Sequence, residues 1–156
     1  MTLSTIGLEK STTKELSDDL NVLLANFQVY YQNLRGVHWN IKGQHFFQLH
    51  DKFEELYIDA QEKVDMIAER ILTLGKTPLH TFDDYLKTSK VKPGKNVSEA
   101  KESVELILNS IQELLKIERE ILTRSDELDD EGTNAMMSDF ISEQEKTVWM
   151  LKSFLG

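Results

Sequence analysis

The chain of 156 residues carries only two prolines, Pro78 and Pro93, and both fall in one middle segment. Proline inside a helix removes a hydrogen bond and clashes with the preceding turn. Its confinement therefore leaves a long stretch on either side that can run as uninterrupted helix. In both stretches the apolar residues recur at intervals of three and four, the spacing of one buried helical face. An all-α fold follows, and a length of 156 residues allows one domain around one core.

Taken in order, the first helix is expected to open at Thr12 or Thr13, because Thr12-x-x-Glu15 reads as a capping box. Residues 1–12 then form a short flexible tail on a single domain spanning residues 1–156. Leu16, Leu20, Leu23, Leu24, Phe27, Tyr31 and Leu34 form the helix's buried face, and His38 falls next in the series, pointing inward. Ile41 to Gln44 is a short connection containing Gly43, which implies an antiparallel second helix. That helix runs from about His45 to Leu74 on Phe46, Leu49, Phe53, Leu56, Ala60, Val64, Ile67 and Ile71, and Gly75 followed by Pro78 ends it.

Lys76 to Val97 is too long for a turn and too aromatic for a plain loop, so it reads as a crossover holding a short helix near Thr81 to Lys87. The third long helix opens at Ser98 as N-cap and carries Val104, Ile107, Leu108, Ile111, Leu114, Leu115, Ile121 and Leu122. Asp126 to Gly132, with five acids in seven residues, breaks it. The fourth opens near Thr133 and buries Met136, Met137, Phe140, Val148, Leu151 and Phe154. Four long helices with a long crossover between the second and third have the connectivity of a ferritin-like four-helix bundle.

Composition narrows the chemistry. The chain has no cysteine, which excludes disulfides and thiolate metal sites and leaves only nitrogen and oxygen ligands. A net charge of -9 argues against broad attraction to nucleic acid or anionic lipid and suits the collection of cations. On charge alone, solvated helix faces are the plainer account of most of these charges. No apolar run is long enough to span a membrane, and the polar start of the chain lacks a secretory pattern, so a cytoplasmic protein without membrane contact is expected.

Residues able to do chemistry concentrate between His38 and Glu69. Imidazole and carboxylate together make a metal set of hard to borderline character. A ferritin-like di-iron bundle ordinarily carries Glu-x-x-His on two helices, but the residues three before His38, His45, His50 and His80 are Arg35, Lys42, Phe47 and Thr77. The usual site inside one bundle is thus absent. Asp65 and Glu69 share one helix face at i, i+4, and at about 100° per residue His50, Glu54, Asp65 and Glu69 lie on one stripe. Yet His50 and Asp65 are roughly 22 Å apart along a helix, far beyond shared coordination. Either they are unrelated, as structural histidines and surface acids, or His50 of one subunit meets Asp65 and Glu69 of another across a twofold axis.

The run His38-Trp39, Gly43, Phe46-Phe47, Leu49-His50, Phe53, Leu56-Tyr57, Asp65, Ala68-Glu69-Arg70 resembles the signature of the Dps family, the mini-ferritins known as DNA-binding proteins from starved cells. The ending Trp149 to Gly156 is similar to that family's last helix. The resemblance implies a dodecameric shell, built from twofold dimers, that oxidises ferrous iron with hydrogen peroxide and stores ferric mineral inside. It implies a ferroxidase with a two-iron site at the dimer interface, acting in iron storage and protection against oxidative stress. His38 and His50 match the family's histidine ligands, Asp65 and Glu69 its carboxylates, and Trp39 the tryptophan beside the iron. Glu54 matches a further carboxylate position, with Asp51 a weaker candidate. Asp126, Asp130 and Glu131 match acids that line pores, while Glu113, Glu118 and Glu120 fit either an inner mineral surface or an exposed helix face. DNA compaction is the rival activity. It is expected to be weak or absent here, because the segment before Leu16 offers only Lys10 and Lys14 against Glu9 and Glu15.

Overall fold

The computed structural model describes residues 2–156 as five helices: α1 (Lys10–Asn40), α2 (Phe46–Thr73), α3 (Phe82–Thr88), α4 (Ala100–Glu127) and α5 (Glu131–Leu155). There is no named strand among the described residues, only an isolated bridge between Leu3 and Glu9. α1 packs along α2 and α5 along α4, α1 packs against α4 to join the two hairpins, and α3 lies across α1. Leu16, Leu20, Leu23, Leu24, Phe27 and Leu34 of α1 meet Phe53, Ile67 and Ile71 of α2, Ile107 and Ile111 of α4, and Phe140 of α5 in one core. The four-helix bundle with its long crossover is as the sequence indicates.

Several boundaries differ, each for a local reason. α1 begins at Lys10 with Glu9 as N-cap, so residues 10–12 of the expected tail are helical. Thr12 does not cap. It is buried on the helix, while the neighbouring Thr13 hydroxyl donates back to the Lys10 carbonyl. The cap of α4 is Glu99, because the Ser98 carbonyl accepts the Lys42 amide and ties the start of α4 to the α1–α2 turn. Phe154 at the end of α5 is exposed rather than buried.

The ends of α2 and α4, each with a left-handed residue, are closed in the same way. At the end of α2 the Gly75 amide donates to Leu72 and Lys76 to Ile71, with Gly75 at φ 84°. At the end of α4 the Asp129 amide donates to Asp126 and Asp130 to Ser125, with the non-glycine Asp129 at φ 58°. The crossover is held by three asparagines of α1. The Asn21 side chain bonds the backbone at Thr77 and Leu79, Asn26 Oδ1 accepts from Lys90, Val91 and Ser89, and Asn33 bridges Lys92 and Gly94. α3 starts at its Thr81 cap, whose hydroxyl accepts the Asp84 amide.

Candidate metal centre

His38 sits in the last turn of α1 and His50 in the first turns of α2, on either side of the Gly43 turn. Each donates its Nδ1 proton to the other's backbone: His38 Nδ1 lies 2.7 Å from the His50 carbonyl and His50 Nδ1 lies 2.8 Å from the His38 carbonyl. A carbonyl only accepts, so both bonds place the proton on Nδ1, and a neutral ring then presents the lone pair of Nε2. This is how outer hydrogen bonds commonly prepare histidine for a metal.

The rings are stacked, with centroids 3.8 Å apart at 15°. Phe46 covers the His50 ring at 4.9 Å, and Tyr57 abuts His38 edge-on at 5.2 Å. Glu54, one turn beyond His50, brings Oε1 to 3.9 Å from His38 Nε2 and accepts the Tyr57 hydroxyl at 3.4 Å. Burial of the Tyr57 ring, and then the Glu54 carboxylate beside it, push the phenol up and keep it a donor. Two imidazole nitrogens and a carboxylate thus gather at the turn, a donor set suited to borderline divalent cations.

The set is incomplete within one chain. Among the described residues, no three His, Asp or Glu side chains stand close enough to hold a metal ion. Asp65 and Glu69 are exposed on α2, one turn apart, and uninterrupted helix separates them from His50. From His50 to Asp65 that is roughly 22 Å at 1.5 Å per residue, and Glu69 lies one turn farther. Asp51 is also exposed. Trp39 is 60% exposed, with the Arg35 guanidinium 5.6 Å from its ring and 4.4 Å from that of Tyr31. Tyr31 in turn meets Tyr57 at 6.2 Å, so aromatic contacts lead from the histidine pair outward. The same α2 stripe also exposes Phe47, Ile58 and Leu72 between its polar groups.

Two expected pore or mineral-facing acids lie elsewhere. Asp130 is buried as the N-cap of α5, accepting the Thr133 amide and pairing with Arg70 at 2.6 Å, so it does not line an open surface of the chain. Asp126 and Glu131 are exposed. Glu118 is fully buried in the bundle, because it repeats the core spacing of Ile111, Leu114 and Ile121, whereas Glu120 is exposed and Glu113 pairs with Lys116.

A buried polar cluster, absent from the sequence expectations, accompanies Glu118. Lys63 of α2, 3% exposed, places Nζ 2.6 Å from both Asp59 and Glu143 and 5.3 Å from the Phe140 ring centroid. Gln144 of α5 donates to Glu118 at 2.8 Å. The signal was present in the spacing: Lys63 is four before Ile67, and Gln144 is four after Phe140, so both stand on core stripes.

Residues 17–156 match the ferritin-like domain family. The chain is 51% identical to an uncharacterised protein of Haemophilus influenzae over 98% of its own length and 96% of the relative's. It is 41% identical to a DNA protection during starvation protein of Porphyromonas gingivalis, covering 97% of this chain and 96% of that one. The crystal structure of the Dps protein from Vibrio cholerae, described as a member of the ferritin-like diiron-carboxylate superfamily, superposes with a TM-score of 0.98 at 47% identity, over 100% of this chain and 98% of that one. The chain belongs to the Dps family. As a Dps protein it keeps the ferritin-like helices but buries the polar Lys63, Glu118 and Gln144.

Proposed function

We propose that this Dps protein stores iron and acts as a ferroxidase, oxidising ferrous iron with hydrogen peroxide at sites shared between two subunits of a dodecameric shell. The observation that carries the reading is the half-formed site: two histidines locked to present Nε2 with Glu54 beside them, and, among the described residues, no three His, Asp or Glu side chains close enough to hold a metal ion. Asp65 and Glu69 are the missing acids, supplied by the second subunit. An antiparallel pairing of two α2 helices about a twofold axis near Ile58 would set His50 of each against Asp65 and Glu69 of the other, since a twofold contact is reciprocal between unlike positions. The exposed Phe47, Ile58 and Leu72 on that stripe give the pairing apolar surface to bury.

In this reading His38 and His50 bind ferrous iron as neutral donors and the three carboxylates offset its charge. Two ferrous ions supply the two electrons that reduce peroxide to water. Consuming iron and peroxide together removes the ingredients of oxidative damage, and ferric product accumulates inside the shell. Protection of DNA, the activity in the name of the Porphyromonas relative, follows here from that consumption rather than from contact. A chain of net charge -9 has little electrostatic attraction for phosphate. Duplex DNA should show no mobility shift at physiological ionic strength without divalent metal, and a clear shift would overturn this point.

No helix of the described residues is long and apolar enough to cross a membrane. The direct test is to add ferrous iron to purified protein without oxygen, then peroxide, and follow ferric absorbance and the iron bound per shell. Shared sites are tested by co-assembling two inactive parents, His38→Ala/His50→Ala and Asp65→Ala/Glu69→Ala. Mixed dimers keep one intact site of two, so part of the activity should return. Mixed shells verified by mass that remain inactive would overturn the shared site.

A further inference from the structure

Glu118 lies on the core face of α4 with no exposure, and Gln144 of α5 beside it is 5% exposed. Gln144 Nε2 donates to Glu118 Oε2 at 2.8 Å. The remaining oxygens, Glu118 Oε1 and Gln144 Oε1, are both buried without a hydrogen-bond partner. Both are acceptors while Glu118 is ionised, and a buried acceptor left unpaired costs about 1–3 kcal/mol, more when charged. One proton on Glu118 Oε1 removes both defects. Carboxyl and primary amide are each planar with one donor and one acceptor side by side, so they close a ring of two hydrogen bonds.

We propose that Glu118 is a proton-binding site in the bundle core: it holds a proton at neutral pH and forms an acid–amide ring with Gln144, Glu118 Oε1 donating to Gln144 Oε1 while Gln144 Nε2 donates to Glu118 Oε2. The charged surroundings favour this form. From α2, Lys63 faces the cluster, but its ammonium is engaged by Asp59 and by Glu143 of α5. Arg119 of α4 turns outward to Glu145 at 2.6 Å. From α1 the Tyr30 phenol is buried nearby and pushed up by that burial, then by Asp59 and Glu118. Ionising Glu118 would set three carboxylates around one ammonium. Burial pushes the Glu118 carboxyl up to about 8, against the smaller opposing effects of Gln144, Lys63 and Arg119.

The consequence is a proton taken up on folding. An acid whose folded value lies above its unfolded value of 4.5 contributes stability that is fully present below that unfolded value and is lost as pH rises through about 8. Within this window the contribution of each chain to the folding equilibrium constant falls by about tenfold per pH unit.

The test uses the assembled wild-type protein and Glu118→Gln, which preserves the shape and supplies a permanent donor to Gln144. The infrared spectrum of the wild type at pH 6 should contain a protonated-carboxyl carbonyl band that disappears by pH 9 and is missing from the variant. Urea unfolding between pH 6 and 7 should weaken the wild type more steeply than the variant, the ratio of their folding constants changing by about tenfold per unit. Carbon NMR of wild-type protein with labelled glutamate should show one carboxyl titrating near neutrality or above, a readout independent of the variant's folding. A wild type whose glutamates are all ionised at pH 6, or a folded variant with an unchanged pH profile, would overturn the proposal.

Discussion

Helix α2 carries two polar centres, three and a half turns apart, that are built on opposite plans. At its start, His50 and the facing His38 use their Nδ1 protons on backbone carbonyls and leave Nε2 without a hydrogen bond, Glu54 standing 3.9 Å from that of His38. In its middle, Lys63 is buried and matched within the chain by Asp59 and Glu143. The first centre is prepared for something the chain does not contain; the second is closed on itself. A metal in the interior of a ferritin-like bundle would need carboxylates and histidines on facing helices. Here Lys63 puts an ammonium on the core side of α2, beside Phe140 and paired with Asp59 and Glu143, and a positive charge there opposes an interior cation. Moving the histidines to the helix ends relocates the candidate chemistry to the surface, where a second subunit can complete it.

The contrast can be broken from either side. The largest effect should come from His50→Ala. It removes one Nε2 donor and the ring stacked on His38, although the backbone carbonyl that accepts from His38 stays, and loss of a residue that merely orients a ligand already costs 10- to 100-fold in metal affinity or activity. Peroxide-driven iron oxidation should fall by at least about tenfold in shells that still assemble, with a stability loss of about 1 kcal/mol for the missing hydrogen bond. Unchanged oxidation by intact shells would remove His50 from the site.

Lys63→Met should do the reverse. It deletes two charge-assisted contacts and leaves an apolar side chain on Phe140. Because Asp59 and Glu143 keep roughly half their surface in water, the loss should be about 1–2 kcal/mol rather than the larger cost of stranding a buried charge. Oxidation per folded shell should stay at the wild-type rate. A variant that stays stable but oxidises iron slowly would mean that the two centres are coupled.

The smallest effect concerns Asp129, held at φ 58° at the end of α4. Glycine adopts that angle without strain, so Asp129→Gly should raise stability by up to about 1 kcal/mol, read as a higher melting temperature. The position neighbours Asp130, which pairs with Arg70 beside Glu69, but the substitution leaves those side chains in place, so oxidation should not change. A lower melting temperature would show that the Asp129 side chain contributes more than its backbone angle costs.

Much of this arrangement was legible in the chain. Gly75 and Pro78 ended α2, Thr81 opened α3, and the spacing of His50 from Asp65 ruled out one shared metal within a chain. What escaped was where polar residues occupy core spacing. Glu118, Lys63 and Gln144 follow the same three-and-four rhythm as their apolar neighbours, yet Glu118 was expected on an inner mineral surface or an exposed helix face, and Lys63 and Gln144 drew no expectation. Asp130 similarly resembled a surface acid, although Arg70, sixty residues earlier, reaches it through the fold. Capping was legible only to within a few residues. Thr12 and Ser98 have suitable side chains, but α1 starts after Glu9 and α4 after Glu99, neither of which caps with its side chain, and the Ser98 carbonyl is taken by the long-range contact with Lys42.

The reciprocal bonds between His38 and His50 also change what the turn between them is. Connections between helices are ordinarily where a chain tolerates extra residues. Here the span from Ile41 to His45 acts as a gauge block: it sets the distance at which each imidazole reaches the other's carbonyl. One inserted residue would slide the two rings out of step, release both Nδ1 protons and let each ring choose its own tautomer. A surface loop that touches no metal would then be as intolerant of insertion as a ligand is of replacement.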